Sequence, residues 1–233
     1  MTARITKPRR LARTIGALFL LTIVAGIFAQ GFVSERLINF GDGAATANNI
    51  LNNKGLFQLG FAVYLIEMAS QVATAALFYL LLRPVNGSIA LTAAFLELTG
   101  CIIKSFARVF FITSLFVLGG TASLSAFSTP QLQSLALLLL KVNDHGAAMA
   151  LAFFGFSTIL NGFLMFRSTF LPKFLGVLGM IAGIGWLAFL YPPLGYRAFL
   201  FVALVGLLGA AATIFWLLVF GVNEERWKER AGA

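Results

Sequence analysis

Residues 56–82 read LFQLGFAVYLIEMASQVATAALFYLLL, residues 83–87 read RPVNG, and residues 88–118 read SIALTAAFLELTGCIIKSFARVFFITSLFVL. Each apolar run is longer than the roughly 20 residues needed to cross a hydrocarbon core. Between them Pro84 and Gly87 punctuate the helical pattern, so the pair reads as two antiparallel helices joined by a tight turn. A soluble domain has too much surface to cover to hide two such helices, and lipid is the solvent that resolves the conflict.

The rest of the chain extends this reading. Of its 233 residues 60% are hydrophobic and 11% charged, against roughly 45–50% and about 25% in soluble domains. Six spans are expected, over residues 11–33, 56–82, 88–118, 146–166, 174–191 and 197–221. They make one integral-membrane domain over 1–233, an all-α polytopic bundle. The segment before the first span, Met1–Arg13, is basic with no acidic residue. A cleaved signal would suit that charge, but the apolar run exceeds a signal core of roughly 7–15 residues, so an anchor is expected. Ser34–Gly55 is polar and reads as a loop with a short surface helix, and Gly119–Pro130 reads as a second loop. Gln131–Val142 is apolar, yet at about 1.5 Å per residue it covers only roughly 18 Å. It is expected to be a short interfacial helix that does not cross. No internal repeat or low-complexity segment stands out.

The formal net charge is +9. The basic residues sit beside apolar runs and not on one face, which points to orientation and anionic lipid head groups, not to nucleic acid. With the N-terminus inside, the cytoplasmic side holds Arg4, Lys7, Arg9, Arg10, Arg13, Arg83, Arg167, Lys173, Arg226, Lys228 and Arg230, eleven in all. The other side holds four: Arg36, Lys54, Lys141 and Arg197. That bias places both termini in the cytoplasm. Tyr191, Tyr196 and Trp227 are expected at the two interfaces, where amphipathic rings settle.

Four stretches carry a family resemblance. They are Arg10-Leu11-Ala12-Arg13-Thr14-Ile15-Gly16, then Leu82-Arg83-Pro84-Val85-Asn86, then Asn161–Leu164 with the turn around Ser168–Leu178, and last Trp216–Val219 with Gly221-Val222-Asn223 and Trp227. Together they resemble the domain of unknown function 4386 family (DUF 4386) of multi-pass membrane proteins, over nearly the whole chain. The resemblance implies a prokaryotic inner-membrane protein with six spans. It implies no activity and supplies no catalytic residues. Physically, Pro172 suits a helix start, and Gly176, Gly179 and Gly183 follow at helical spacing, a small-residue face for close helix packing.

Ionisable residues inside a membrane are costly and face a bundle interior. Glu97, Cys101, Lys104 and Arg108 fall at i, i+4, i+7 and i+11, one stripe of the third span, while Glu67, Gln71 and Thr74 form a stripe on the second. Measured from the shared turn, Glu67 lies about 22 Å deep and Lys104 about 24 Å, while Gln71 and Glu97 lie near 16 and 14 Å. The spacing therefore pairs Glu67 with Lys104 and Gln71 with Glu97. Arg108, near 30 Å, is level with Asp144 and His145 at the outer end. Asn161, with Ser157 and Thr158, extends the polar lining on the fourth span.

Much chemistry is missing. The lone histidine, His145, and the lone cysteine, Cys101, exclude a multi-ligand His/Cys metal centre, so no metal or cofactor is expected. Ser123 and Ser134 are serines within reach of His145, but any loop would allow that, and no triad pattern links them. Glu224-Glu225 superficially resembles the diglutamate motif of intramembrane CAAX-type proteases, but it lies outside the spans and lacks companion histidines. Three functional classes remain. The first is a structural or regulatory bundle that binds membrane lipids or partners. The second is a small transporter or channel-like permease that passes a small polar ligand or proton along Glu67, Glu97, Lys104 and Arg108. The third is a membrane enzyme on a lipid-like substrate, and the absence of a nucleophile–base pair weighs against it.

Overall fold

In the computed structural model residues 7–120 and 124–232 are described, and all the regular structure among them is helical. Arg4 and Ser123 lie outside the described residues. Six helices are long and apolar enough to cross a bilayer: α1 Pro8–Leu37, α3 Lys54–Leu82, α4 Gly87–Leu118, α5 Thr129–Arg167, α6 Lys173–Leu190 and α7 Pro192–Val219. Two shorter helices join them, α2 Gly43–Asn52 and α8 Glu224–Ala231. The protein is a multi-pass membrane protein.

Local chemistry sets the helix ends. Asp42 caps α2 by accepting from the Ala45 amide at 2.9 Å, which satisfies one of the free first-turn donors. Proline opens α7 at Pro192, where an amide proton has no helical acceptor to lose. Asn223 caps α8 by accepting from the Arg226 amide at 3.1 Å. Glu224 and Glu225 follow in the first turn of α8 and Lys228 and Arg230 in its last, matching the helix dipole. Within α1 the turns from Phe28 to Ser34 widen into a π-helix, an uncommon geometry that re-aims side chains.

Two expectations need correction. The Ser34–Gly55 segment is mostly helical: α1 runs on to Leu37, and α2 buries Thr46, Ala47 and Ile50 on one face. Gln131–Val142 is no separate interfacial helix. It forms part of the first half of α5, which runs unbroken for 39 residues through Asn143, Asp144, His145 and Gly146. Asn and Gly are poor helix formers, but here tertiary contacts hold them. A methyl added to Gly146 would stand 2.7 Å from the Ala107 side chain, so the glycine allows α5 to lie against α4. At 1.5 Å per residue α5 is about 58 Å long, beyond a hydrocarbon core of about 30 Å, so it tilts or protrudes.

The chain divides into two compact units. The first comprises Met1–Leu20, Ser70–Cys101 and Ala148–Ala233. Its core gathers Ile15, Leu81, Leu82, Leu164, Leu175 and Trp227. Its α5 and α6 touch through glycine: a methyl on Gly162 would meet the Gly176 carbonyl oxygen at 2.8 Å, and one on Gly183 would meet the Gly155 carbonyl oxygen at 2.8 Å. This is the small-residue face of the fifth span, and its partner is a matching face on the fourth. Trp227 is buried, and its indole N–H donates to the Leu81 carbonyl at 2.9 Å, near the carboxyl end of α3.

The second unit comprises Leu21–Ala69 and Ile102–Ala147. Its core is aromatic. Phe57 and Phe111 stack with ring centroids 4.1 Å apart, and Tyr64 meets Phe111 edge-on at 5.6 Å.

Candidate functional site

The second unit holds three of the intramembrane candidates. Lys104 on α4 donates to Glu67 Oε1 on α3 at 2.6 Å. The lysine side chain is 14% exposed and the glutamate 6%, so the pair is enclosed. A charge-assisted bond of this length is strong for its type. Gly26 on α1 makes room for it, since a methyl there would come within 3.1 Å of Glu67 Oε1.

Arg108, one helical turn beyond Lys104, is 2% exposed. Its Nη1 donates to Asn143 Oδ1 on α5 at 2.9 Å. Its guanidinium carbon lies 3.4 Å from the Tyr64 ring centroid, a cation–π contact strengthened by the exclusion of water. The Tyr64 hydroxyl is 2.9 Å from Ser34 Oγ and donates to Gln30 Oε1 at 2.8 Å. Both of those residues belong to the π-helical turn of α1. Asn143 and Tyr64 thus hold one buried cation directly, and Gln30 and Ser34 of α1 hold the tyrosine. Among the described residues two buried atoms have no hydrogen-bond partner, Glu67 Oε2 and Arg108 Nε.

At the edge of this network lies a cleft of about 160 Å³ lined by Gln30, Ser34, Glu35, Ile38, Phe40, Asn143 and Asp144. A wider hollow, lined by Phe127, Pro130, Gln131, Ser134 and Leu135, opens near the start of α5. Neither lining includes Glu67, Lys104 or Arg108.

The first unit holds the other candidates. Gln71 Nε2 donates to Glu97 Oε1 at 2.7 Å. Asn161 Nδ2 reaches Ser157 Oγ at 3.4 Å, and Ser157 donates to the Ala93 carbonyl at 2.9 Å. Asn161 therefore joins a helix-to-helix contact of this unit.

The two contacts read from spacing, Glu67 with Lys104 and Gln71 with Glu97, are present. The outer-end cluster differs from expectation. Asp144 and His145 are not at a loop edge but inside α5. Asp144 lines the cleft, while His145 Nδ1 lies 2.8 Å from the Lys141 carbonyl one turn back. Ser134 donates to the Pro130 carbonyl, so it is bound within its own helix. Among the described residues no group of three or more His, Cys, Asp or Glu is placed to hold a metal ion.

Sequence reasoning missed Tyr64, Asn143, Gln30 and Ser34. For Tyr64 a signal existed, because Tyr64, Glu67 and Gln71 stand at i, i+3 and i+7, on one face of one helix. For Gln30 and Ser34 none did, since the π-helical turn that aims them leaves no mark in the sequence.

No curated protein matches the chain, and neither does any solved structure. One family model does, described as a domain of unknown function, and it matches residues 14–221. That match spans every membrane-crossing helix in whole or in large part, so the chain belongs to the DUF4386 family of multi-pass membrane proteins.

Proposed function

We propose that this protein is a packed membrane scaffold, structural or regulatory, that binds lipids and partner proteins and uses its intramembrane charges to fix helix register. The observation that carries this reading is the enclosure of Lys104 and Glu67, 14% and 6% exposed, away from the lining of either cleft. A solute pathway needs its charges wetted; a register device needs them paired and dry. An unpaired charge at mid-bilayer costs about 2.5–3.5 kcal/mol on insertion scales. A mis-registered helix pair would incur that penalty, which is how a pair can select one register without adding net stability over an apolar replacement. The protein resides, on this reading, in a prokaryotic cytoplasmic membrane with both termini inside, as its Lys/Arg distribution favours.

A double-mutant cycle tests the register reading. Glu67→Gln and Lys104→Met should each lower the unfolding temperature in detergent, and Glu67→Gln/Lys104→Met should recover part of the loss, because the two residues are in direct contact. Additive losses with no recovery would sink the reading.

A second reading has one observation in its favour. Glu67 Oε2 and Arg108 Nε are a buried acceptor and a buried donor without partners among the described residues. Such atoms suit a proton or small polar solute passing among Glu67, Lys104 and Arg108, as in a permease. Loss of an ion or proton flux in proteoliposomes on Glu67→Gln, with the unfolding temperature unchanged, would favour it over the scaffold.

A further inference from the structure

The turn between α5 and α6 in the first unit gathers basic side chains on a rigid base. Ser168 holds the turn from within: its buried hydroxyl donates to the Met165 carbonyl at 2.7 Å and accepts from the Leu171 amide at 3.3 Å. The start of α8 is docked on the same turn. The Asn223 amide donates to the Phe170 carbonyl at 3.2 Å, and Arg226 Nη1 donates to the Thr169 carbonyl at 3.2 Å. Three cations from three helices therefore flank one turn: Arg167 at the end of α5, Lys173 at the start of α6 and Arg226 in the first turn of α8. All three are exposed. Among the described residues none of them is in ion-pair contact with a carboxylate, those of α8 included. Two of them lie over aromatic rings. The Arg167 guanidinium carbon is 6.0 Å from the Phe163 ring centroid, and Lys173 Nζ is 5.7 Å from that of Phe166. Those rings are 38% and 37% exposed on a membrane-crossing helix, so they face lipid.

Charge and place together specify the partner. A cation over a lipid-facing ring stands at the level of the head groups, with its stem along apolar surface. A bilayer supplies opposite charge at that level as the phosphate of an anionic lipid, and basic side chains beside a spanning helix attract such lipids. Guanidinium groups match phosphate with paired hydrogen bonds, and an ammonium group adds a point charge. A zwitterionic lipid brings its own cation, which three positive side chains repel. Arg226 uses one N–H on Thr169 and keeps the others for a ligand. The bonds of Ser168, Asn223 and Arg226 hold the turn before any lipid arrives, which lowers the ordering cost of binding. We propose that the α5–α6 turn is a specific site for an anionic phospholipid, with the phosphate among Arg167, Lys173 and Arg226 and an acyl chain along Phe163 and Phe166. A soluble acidic partner would gain nothing from rings on the lipid side. The proposal rests on the lipid-binding part of the scaffold reading and gives it a place and a lipid class; the Glu67–Lys104 cycle tests the register part independently.

The test uses the full chain in detergent and native mass spectrometry with added phosphatidylglycerol or phosphatidylcholine. Phosphatidylglycerol should bind at least about tenfold tighter. Arg167→Gln/Lys173→Gln/Arg226→Gln should weaken that binding at least about tenfold and leave phosphatidylcholine unchanged. Arg10→Gln/Lys228→Gln/Arg230→Gln removes the same charge from exposed positions of α1 and α8, and should weaken it less than about twofold. The unfolding temperature without added lipid shows whether each variant is folded. If the first is not, Arg167→Gln/Lys173→Gln replaces it, keeps the Arg226–Thr169 bond and should weaken binding at least about fivefold. Phosphatidylglycerol retained undiminished in the folded variant would mean that lipid binds elsewhere, so this site would fall while the scaffold reading stood. Equal losses in the two triple variants would reduce the site to bulk charge and overturn the proposal. So would equal binding of the two lipids, glycerol phosphate binding as tightly as the whole lipid, or an acidic peptide binding more tightly than the lipid.

Discussion

Tyr64 presents its hydroxyl to Ser34 and Gln30 and its ring face to the Arg108 guanidinium. The two roles separate by substitution. Tyr64→Phe removes the hydroxyl alone and leaves the buried Ser34 hydroxyl without it, for a loss of about 1–3 kcal/mol. Tyr64→Leu also removes the ring from beneath the cation, a further loss of about 2 kcal/mol where water is excluded. Unfolding temperature in detergent should therefore fall in the order wild type, Phe, Leu. Equal falls for both variants would mean that the ring contributes nothing to holding Arg108. The contrast with Glu67 and Lys104 shows what a sequence discloses at this scale. Their pairing is legible because charges in apolar helices are few and helical rise fixes their depth. Asn143 is not legible. In Val142-Asn143-Asp144-His145-Gly146 it reads as turn chemistry, and only its contact with Arg108 reveals a helix interior position.

Helices α5 and α6 of the first unit meet backbone to backbone, because glycines face each other where side chains would otherwise hold them apart. In lipid such contact relies on dispersion, since neighbouring acyl chains are as apolar as the helices. Gly162→Leu and Gly176→Leu should each lower the unfolding temperature markedly, by a free-energy loss of about 1–3 kcal/mol or more. Gly87→Ala is the control: a methyl there meets nothing within 4 Å, at the first residue of α4, and it should leave the unfolding temperature unchanged. A similar fall in all three would mean that close helix contact is not what these substitutions disturb. The glycine face of α6 was legible from its spacing, while its partner, Gly155 and Gly162 on α5, was not singled out. The length of α5 was misread for a related reason. A local rule breaks a helix at Asn and Gly, and a neighbouring helix can overrule it.

The arrangement of charge along the whole chain carries the topological prediction. Introduced cysteines in Ser34–Gly55 should react with an impermeant thiol reagent from outside intact cells, and a cysteine at position 228 should not. The protein has one native cysteine, Cys101, and it is buried, so the background is low. Labelling of position 228 from outside would reverse the orientation. The six spans were legible because length and apolarity alone define them; the division into two units was not, since it depends on which helix segments touch. That division also sets an order of events during synthesis. Every residue of the second unit has been made by Ala147, whereas the first unit needs Ala148–Ala233 as well, and its Trp227–Leu81 bond joins residues 146 positions apart. At a translation rate of about 5–20 residues per second, the stretch from 148 to 227 takes roughly 4–16 s. The carboxyl end of α3 around Leu81 must therefore wait in the membrane for its tryptophan, a dwell time during which a quality-control protease or an insertase can still inspect it.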